Sequence, residues 1–182
     1  MSIFDDAHVV LLQADYVGVD PTGKVNAIGA GFTVTAVQQT GTTAPMHLVA
    51  LIDVPSKYAG KEFAFSLELR DDETGAPVQI PGPSGQMESM RIQQVIKGER
   101  LNVPGAYIPE AMFVRMQVAI GFMNGLPLGP GRFYHWRAEI DGRHDKSWTA
   151  RFYILGPPPA LVFGGPSGPT GIPSTPPTPG AS

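Results

Sequence analysis

Cysteine is absent from the 182-residue chain. Thiolate chemistry, disulfide staples and cysteine-ligated zinc are therefore excluded. Charge is also sparse: 16% of residues are Asp, Glu, Lys or Arg, and 13 cations against 16 acids leave a formal net charge of −3. A phosphate backbone is held by clustered Lys and Arg, so no nucleic-acid partner is expected. Long apolar runs are lacking too. Val9 to Leu12 is too short a run for a signal sequence or a membrane span, and Met1 to Asp6 carry no basic charge before it. No membrane partner is expected.

Glycine and proline, by contrast, are plentiful, with 22 Gly and 19 Pro unevenly spread along the chain. In residues 156–182, 15 of 27 are Gly or Pro and none is charged. Proline removes backbone donors and glycine raises the entropy cost of ordering, so no packed element should form there. The stretch reads as an extended arm of polyproline character, about 80 Å long if fully drawn out at roughly 3.1 Å per residue. Within it Pro157, Pro158, Pro159, Leu161, Val162, Phe163 and Ile172 are the candidate partner-binding residues. The domain boundary is drawn between a body, 1–155, and this arm, 156–182.

The body reads as strands. Phe63, Phe65, Leu67 and Leu69 alternate with Glu62, Ala64, Ser66, Glu68 and Arg70, the period of a half-buried strand. Met112 to Phe122, Phe133 to Ile140 and Trp148 to Ile154 repeat the pattern. Weaker strand candidates lie at 8–16, 24–28, 32–37, 47–54, 78–80 and 91–96, while 88–97 also admits a helix. Asp20-Pro21-Thr22-Gly23, Asp71-Asp72-Glu73-Thr74-Gly75, Asn124-Gly125, Pro130-Gly131 and Asp141-Gly142 punctuate these runs with turn chemistry. Eight to ten short strands at this spacing predict an all-β fold, an antiparallel β-sandwich of Ig-like or Greek-key type with the Pro/Gly-rich arm at its C-terminus. Trp136 and Trp148 fall on the apolar faces and are expected in the core. Tyr134, just after Pro130-Gly131-Arg132, is expected to tie its hydroxyl back to that turn.

Catalytic signatures are weak. Asp5/Asp6 and Asp71-Asp72-Glu73 are the acidic clusters, and the second reads as a solvated hairpin turn. His8, His47, His135 and His144 occur in no metal-binding spacing, so no metal and no cofactor are expected. His135 reads as a surface or rim residue. Gly82-Pro83-Ser84-Gly85 and Gly165-Pro166-Ser167-Gly168 place Pro where a nucleophile elbow needs its turn. Gly29-Ala30-Gly31 lacks the remainder of a dinucleotide fingerprint and reads as a bulge or a tight approach between strands. No catalytic residue is assigned.

Several segments carry a resemblance. They are His8-Val9-Val10-Leu11-Leu12-Gln13-Ala14-Asp15-Tyr16, Gly23-Lys24-Val25-Asn26-Ala27-Ile28-Gly29-Ala30-Gly31-Phe32, Leu51-Ile52-Asp53-Val54-Pro55, Phe65-Ser66-Leu67-Glu68-Leu69, Pro127-Leu128-Gly129-Pro130-Gly131 and Trp136-Arg137-Ala138-Glu139-Ile140-Asp141-Gly142. Together they resemble a family of small β-sandwich proteins of actinobacteria and their tailed phages. The tail, Gly156-Pro157-Pro158-Pro159 through Phe163-Gly164-Gly165-Pro166, is similar to mycobacteriophage versions. The resemblance spans nearly the whole chain and its motifs are structural, with no catalytic residue to carry over.

That resemblance implies a non-enzymatic virion component, foremost a capsid decoration or reinforcement protein whose arm docks on neighbouring subunits. The implied partners are virion shell or tail proteins in a homo-oligomer or other symmetric assembly. The implied location is the virion after assembly in the host cytoplasm, a reducing compartment that suits a cysteine-free chain. Three alternatives stay open. One is a head–tail connector or tail-associated protein, and another a soluble module for a glycan or host protein. The third is an enzyme with a site assembled from distant residues, which needs His135 or His144 against a buried carboxylate.

Overall fold

Alternation in the sequence becomes strand wherever it is strongest. The computed structural model describes residues 2–82, 84–100, 104–105, 107, 109 and 112–156. The four alternating runs form β6 (Glu62–Asp71), β10 (Phe113–Phe122), β11 (Arg132–Ile140) and β12 (Thr149–Leu155). The other strands are β1 (His8–Ala14), β2 (Tyr16–Val19), β3 (Val25–Ile28), β4 (Val34–Ala36), β5 (Met46–Pro55), β7 (Gln79–Pro81), β8 (Met87–Ser89) and β9 (Arg91–Lys97). A four-residue helix, α1 (Ile3–Asp6), precedes them, and a 3-10 turn follows β5 at Ser56–Tyr58. The chain is thus all-β with largely antiparallel sheets. The arm and its Pro157, Pro158, Pro159, Leu161, Val162, Phe163 and Ile172 lie outside the described residues.

Two larger sheets carry the fold. One has the order β1-β5-β10, the other β4-β12-β11-β6-β9, and β2-β3 and β7-β8 form two-stranded ladders. Every pairing is antiparallel except β4 with β12, which is parallel. The inward side chains of both larger sheets join one apolar cluster, among them Leu11, Leu48, Ile52, Phe65, Leu67, Val114, Trp136 and Phe152. Trp136 is fully buried and stacks on Phe122 with centroids 5.2 Å apart. Trp148 meets Phe4 of α1 edge-on at 5.0 Å. Both tryptophans therefore sit in the core, where their register put them.

Segment 88–97 is not helical: it is extended and divided between the end of β8 and β9, with Met90 between them. Pairing with β6 sets Ile92 and Ile96 opposite Leu67 and Phe63, against the core. The run 8–16 is broken at Asp15. There the Asp15 N–H donates to Ile28 O (3.0 Å) and the Gly31 N–H to Gln13 O (2.7 Å), as the chain leaves β1, paired with β5, and enters the β2–β3 hairpin. Gly29 sits in this crossing at φ +65°, and a Cβ on it would lie 2.0 Å from Asp15 Oδ2. The expected tight approach is real, and only glycine fits it without displacement. α1 and β8 have no counterpart in the sequence reading.

Two ties, one long-range and one local, close the loops. The Thr43 N–H donates to Leu126 O (2.9 Å), and the Leu126 N–H returns to Thr43 Oγ1 (3.0 Å). Tyr134 accepts the Gly129 N–H on its hydroxyl at 3.0 Å, the expected tie from strand to preceding turn.

Candidate interaction surface

The outward face of the five-stranded sheet has a charged half and an apolar half. In β6 and β11 the residues opposite the core are Ser66, Glu68 and Arg70, and His135, Arg137 and Glu139. Pairing sets Glu68 opposite Arg137 and Arg91, and Glu139 opposite Ser66. Arg137 Nη2 donates to Glu68 Oε2 (2.9 Å) and Glu139 Oε1 (2.6 Å). Arg91 Nη2 donates to Glu139 Oε2 (2.7 Å) and Ser66 Oγ (3.0 Å), and Arg70 Nη1 to Glu68 Oε2 (2.5 Å). Both glutamates are buried although they stand on an outward face, and arginine guanidinium groups hydrogen-bond each of them. Each carboxylate accepts charge-assisted hydrogen bonds from guanidinium groups. The sequence reading did not find this cluster. Its signal was alternating charge sign at period two, and only strand register brings the rows together.

At the end of this face the acidic turn is not simply solvated, a correction to the expected solvated hairpin. Asp71 is buried. Its Oδ1 accepts the N–H groups of Glu73 (2.8 Å) and Thr74 (3.0 Å), and its Oδ2 takes Arg132 Nη1 (3.1 Å). The Thr74 N–H holds this carboxyl below the ordinary 3.8; burial opposes the shift, and Arg132 and the Glu73 N–H reinforce it. Asp72 is half-buried and bonds both His135 Nδ1 and Arg151 Nε. Burial pushes the Asp72 carboxyl up, but His135 and Arg151 outweigh it and hold the group below 3.8.

His135 thus meets a carboxylate, the contact that an assembled catalytic site would need. Asp72 fixes the ring, yet among the described residues no hydroxyl is hydrogen-bonded to His135.

The apolar half lies beside this pair. Cross-strand pairing sets Val34, Tyr153, Phe133 and Asp72 in one row, with Leu155 and Ala36 in the next. Val34 is 49% exposed, Phe133 43% and Leu155 50%. The Phe133 and Tyr153 rings are 4.7 Å apart, and the Arg151 guanidinium lies 4.0 Å over Phe133. A concavity of about 300 Å³ adjoins them, lined by Asp72, Glu73, Gly131, Arg132, Phe133 and Arg151. On the other sheet the β2–β3 hairpin is tied to the outward face by the Val25 N–H, which donates to Gln117 Oε1 (2.9 Å). Val10, Val19 and Ile28 stay exposed on β1 and the hairpin.

The remaining sequence candidates fall apart from one another. His8 meets Phe113 edge-on, His47 Nδ1 lies 3.2 Å from Asp15 O, and His144 is exposed. Among the described residues no three His, Asp or Glu are grouped to hold a metal ion. No described helix is long and apolar enough to cross a membrane. Asp5 is bonded by Ser2 and Arg143, and Arg143 lies 4.0 Å over the Phe4 ring, so the 141–145 hairpin tip is docked on α1. Asp6 takes the Tyr58 hydroxyl at 2.7 Å. Tyr107 is exposed and Tyr153 half-buried. No protein-family model matches the chain, and no curated protein matches it.

Proposed function

We propose that the chain is a non-enzymatic structural component of a tailed-phage particle, a capsid decoration or reinforcement protein. In this reading the two larger sheets form a β-sandwich of Ig-like or Greek-key type, and the arm 156–182 docks on neighbouring subunits of the virion. The assignment to a phage particle rests on the sequence resemblance. The observation that carries a structural role is the outward face of the five-stranded sheet. Its carboxylates are tied up by arginines, while Val34, Phe133 and Leu155 are left exposed beside them. Exposed apolar side chains gathered at one place mark a contact surface, and a braced sheet presents them without reorganising.

Counting copies in intact purified particles tests the reading. A decoration protein is expected at on the order of hundreds of copies per particle, whereas about six to twelve marks a connector or tail position. Particles that lack the chain overturn the proposal. A chain ending at Leu155 is expected to fold but to lose occupancy, and full occupancy without the arm overturns the docking half.

A further inference from the structure

We infer that Asn124 is a site of spontaneous deamidation, in which the Gly125 nitrogen displaces the side-chain amide as ammonia, and that the isoaspartyl product loosens the Thr43–Leu126 tie. The inference concerns the chemistry of one turn and goes beyond the particle reading, on which it does not depend.

Asparagine is a chemically labile residue, and its deamidation needs a side-chain amide free to rotate beside an unshielded main-chain nitrogen. Asn124 is exposed, and its side chain bonds none of the described residues. Residue 125 is glycine, with no Cβ to shield the nitrogen. The turn itself demands that glycine: its φ is +67°, and a Cβ there would lie 1.9 Å from Thr43 O. The fold thus keeps beside Asn124 the residue that hinders attack least. Two comparable places among the described residues are better protected. Asp141-Gly142 presents a carboxylate, a poorer electrophile than an amide, and its Oδ1 accepts the Ala64 N–H (2.9 Å). Asn26 is followed by Ala27, whose methyl crowds the nitrogen, and both are held in β3 opposite Gly18 and Val17.

Hydroxide takes the Gly125 N–H proton, the nitrogen adds to Asn124 Cγ, and the side-chain nitrogen leaves as ammonia with a proton from water. Water then opens the five-membered imide. Addition at Cγ gives aspartate; addition at the Asn124 main-chain carbonyl gives isoaspartate, whose chain runs through Cβ and Cγ. The hydrogen bond that must break first is Gly125 N–H to Phe122 O (3.0 Å). One such bond has a small net value, so the turn slows the attack by no more than about tenfold. The isoaspartyl link adds one carbon to the main chain, about 1.5 Å of bond, between Phe122 and Leu126. The Thr43 N–H to Leu126 O (2.9 Å) and Leu126 N–H to Thr43 Oγ1 (3.0 Å) bonds depend on the original spacing. The new carboxylate also borders a concavity of about 410 Å³ lined by Gln38, Thr40, Thr42, Thr43, Pro45 and Met123, none of them a cation.

Incubating the folded full-length chain in oxygen-18 water at pH 6 and pH 9, followed by digestion and mass spectrometry, tests this. A synthetic peptide of residues 120–128 is the reference. The expected result is label uptake at Asn124 as aspartyl and isoaspartyl products, faster at pH 9 and within about tenfold of the peptide's rate. Asn124→Gln, at an exposed position, should abolish the uptake in that digest fragment. Uptake at Asn124 that is absent, or slower than the peptide's by clearly more than that factor, overturns the site. The isoaspartyl chain, separated by chromatography, should then melt below Asn124→Asp, which carries the same charge on a main chain of normal length. Equal midpoints overturn the loosening. Neither outcome bears on the copy number in particles, so the particle reading stands or falls separately.

Discussion

A hydroxyl and a carboxylate hold the turns at one end of the five-stranded sheet. The Tyr134 hydroxyl is the acceptor for the Gly129 N–H, so Tyr134→Phe strands a part-buried donor and is expected to cost about 1–2 kcal/mol. Chemical unfolding measures this, and an unchanged midpoint would refute the tie. Asp71 sets a pH dependence. Its carboxyl and that of Asp72 are held below 3.8 in the fold, so near that pH the unfolded chain binds more protons than the native one. Their stabilisation is full above about pH 5 and is lost as pH falls through 3.8 and below. Asp71→Asn should flatten this acid slope in unfolding titrations from pH 7 to 2; an unaltered slope would show that the group does not contribute. The two residues differ in legibility. Tyr134 was readable because its partner lies five residues away, whereas Asp71 and Asp72 find Arg132, His135 and Arg151 more than sixty positions along the chain.

Among elements, those with a strict period of two were legible from end to end, since alternation itself decides which side chains leave water. β9 was ambiguous because Gln93, Gln94 and Lys97 dilute its apolar pattern, and pairing with β6 decides it. α1 was invisible: four residues carry no period, and the helix is stabilised by contacts to Trp148, Tyr58 and Arg143. Turn glycines were legible as turns but not as to their cost. Gly23 closes the β2–β3 hairpin at φ +83° with open space around it, while Gly125 has φ +67° and a Cβ there would lie 1.9 Å from Thr43 O. Gly23→Ala is expected to cost about 1–2 kcal/mol of backbone strain. Gly125→Ala should cost clearly more, because the Thr43 carbonyl and its reciprocal bonds to Leu126 must also move. Thermal melts of the two variants compare them directly, and equal losses would contradict the close approach.

For the molecule as a whole, strand identity was far more legible than strand order. Hydrophobic alternation says that a face is buried, not which strand lies beside it, and the order β4-β12-β11-β6-β9 joins distant parts of the chain. The apolar cluster is drawn from residues between Ile3 and Ile154. A chain ending at Gly156 is therefore expected to unfold in one cooperative transition, with the midpoint of the full chain measured where that chain is monomeric. Calorimetry checks this, and a midpoint several degrees lower would assign the missing residues a share of the core. The parallel pairing of β4 with β12 has a further consequence, for biosynthesis. Val34 has to wait for Tyr153, and Gln13 for the carbonyl of Ala150. Until β12 has been translated β4 lacks its partner and the five-stranded sheet cannot be completed, so final assembly is late, in the slow regime of non-local topologies. During that interval the nascent polypeptide is open to chaperones and proteases, so its yield in a cell depends on them as much as on its finished stability.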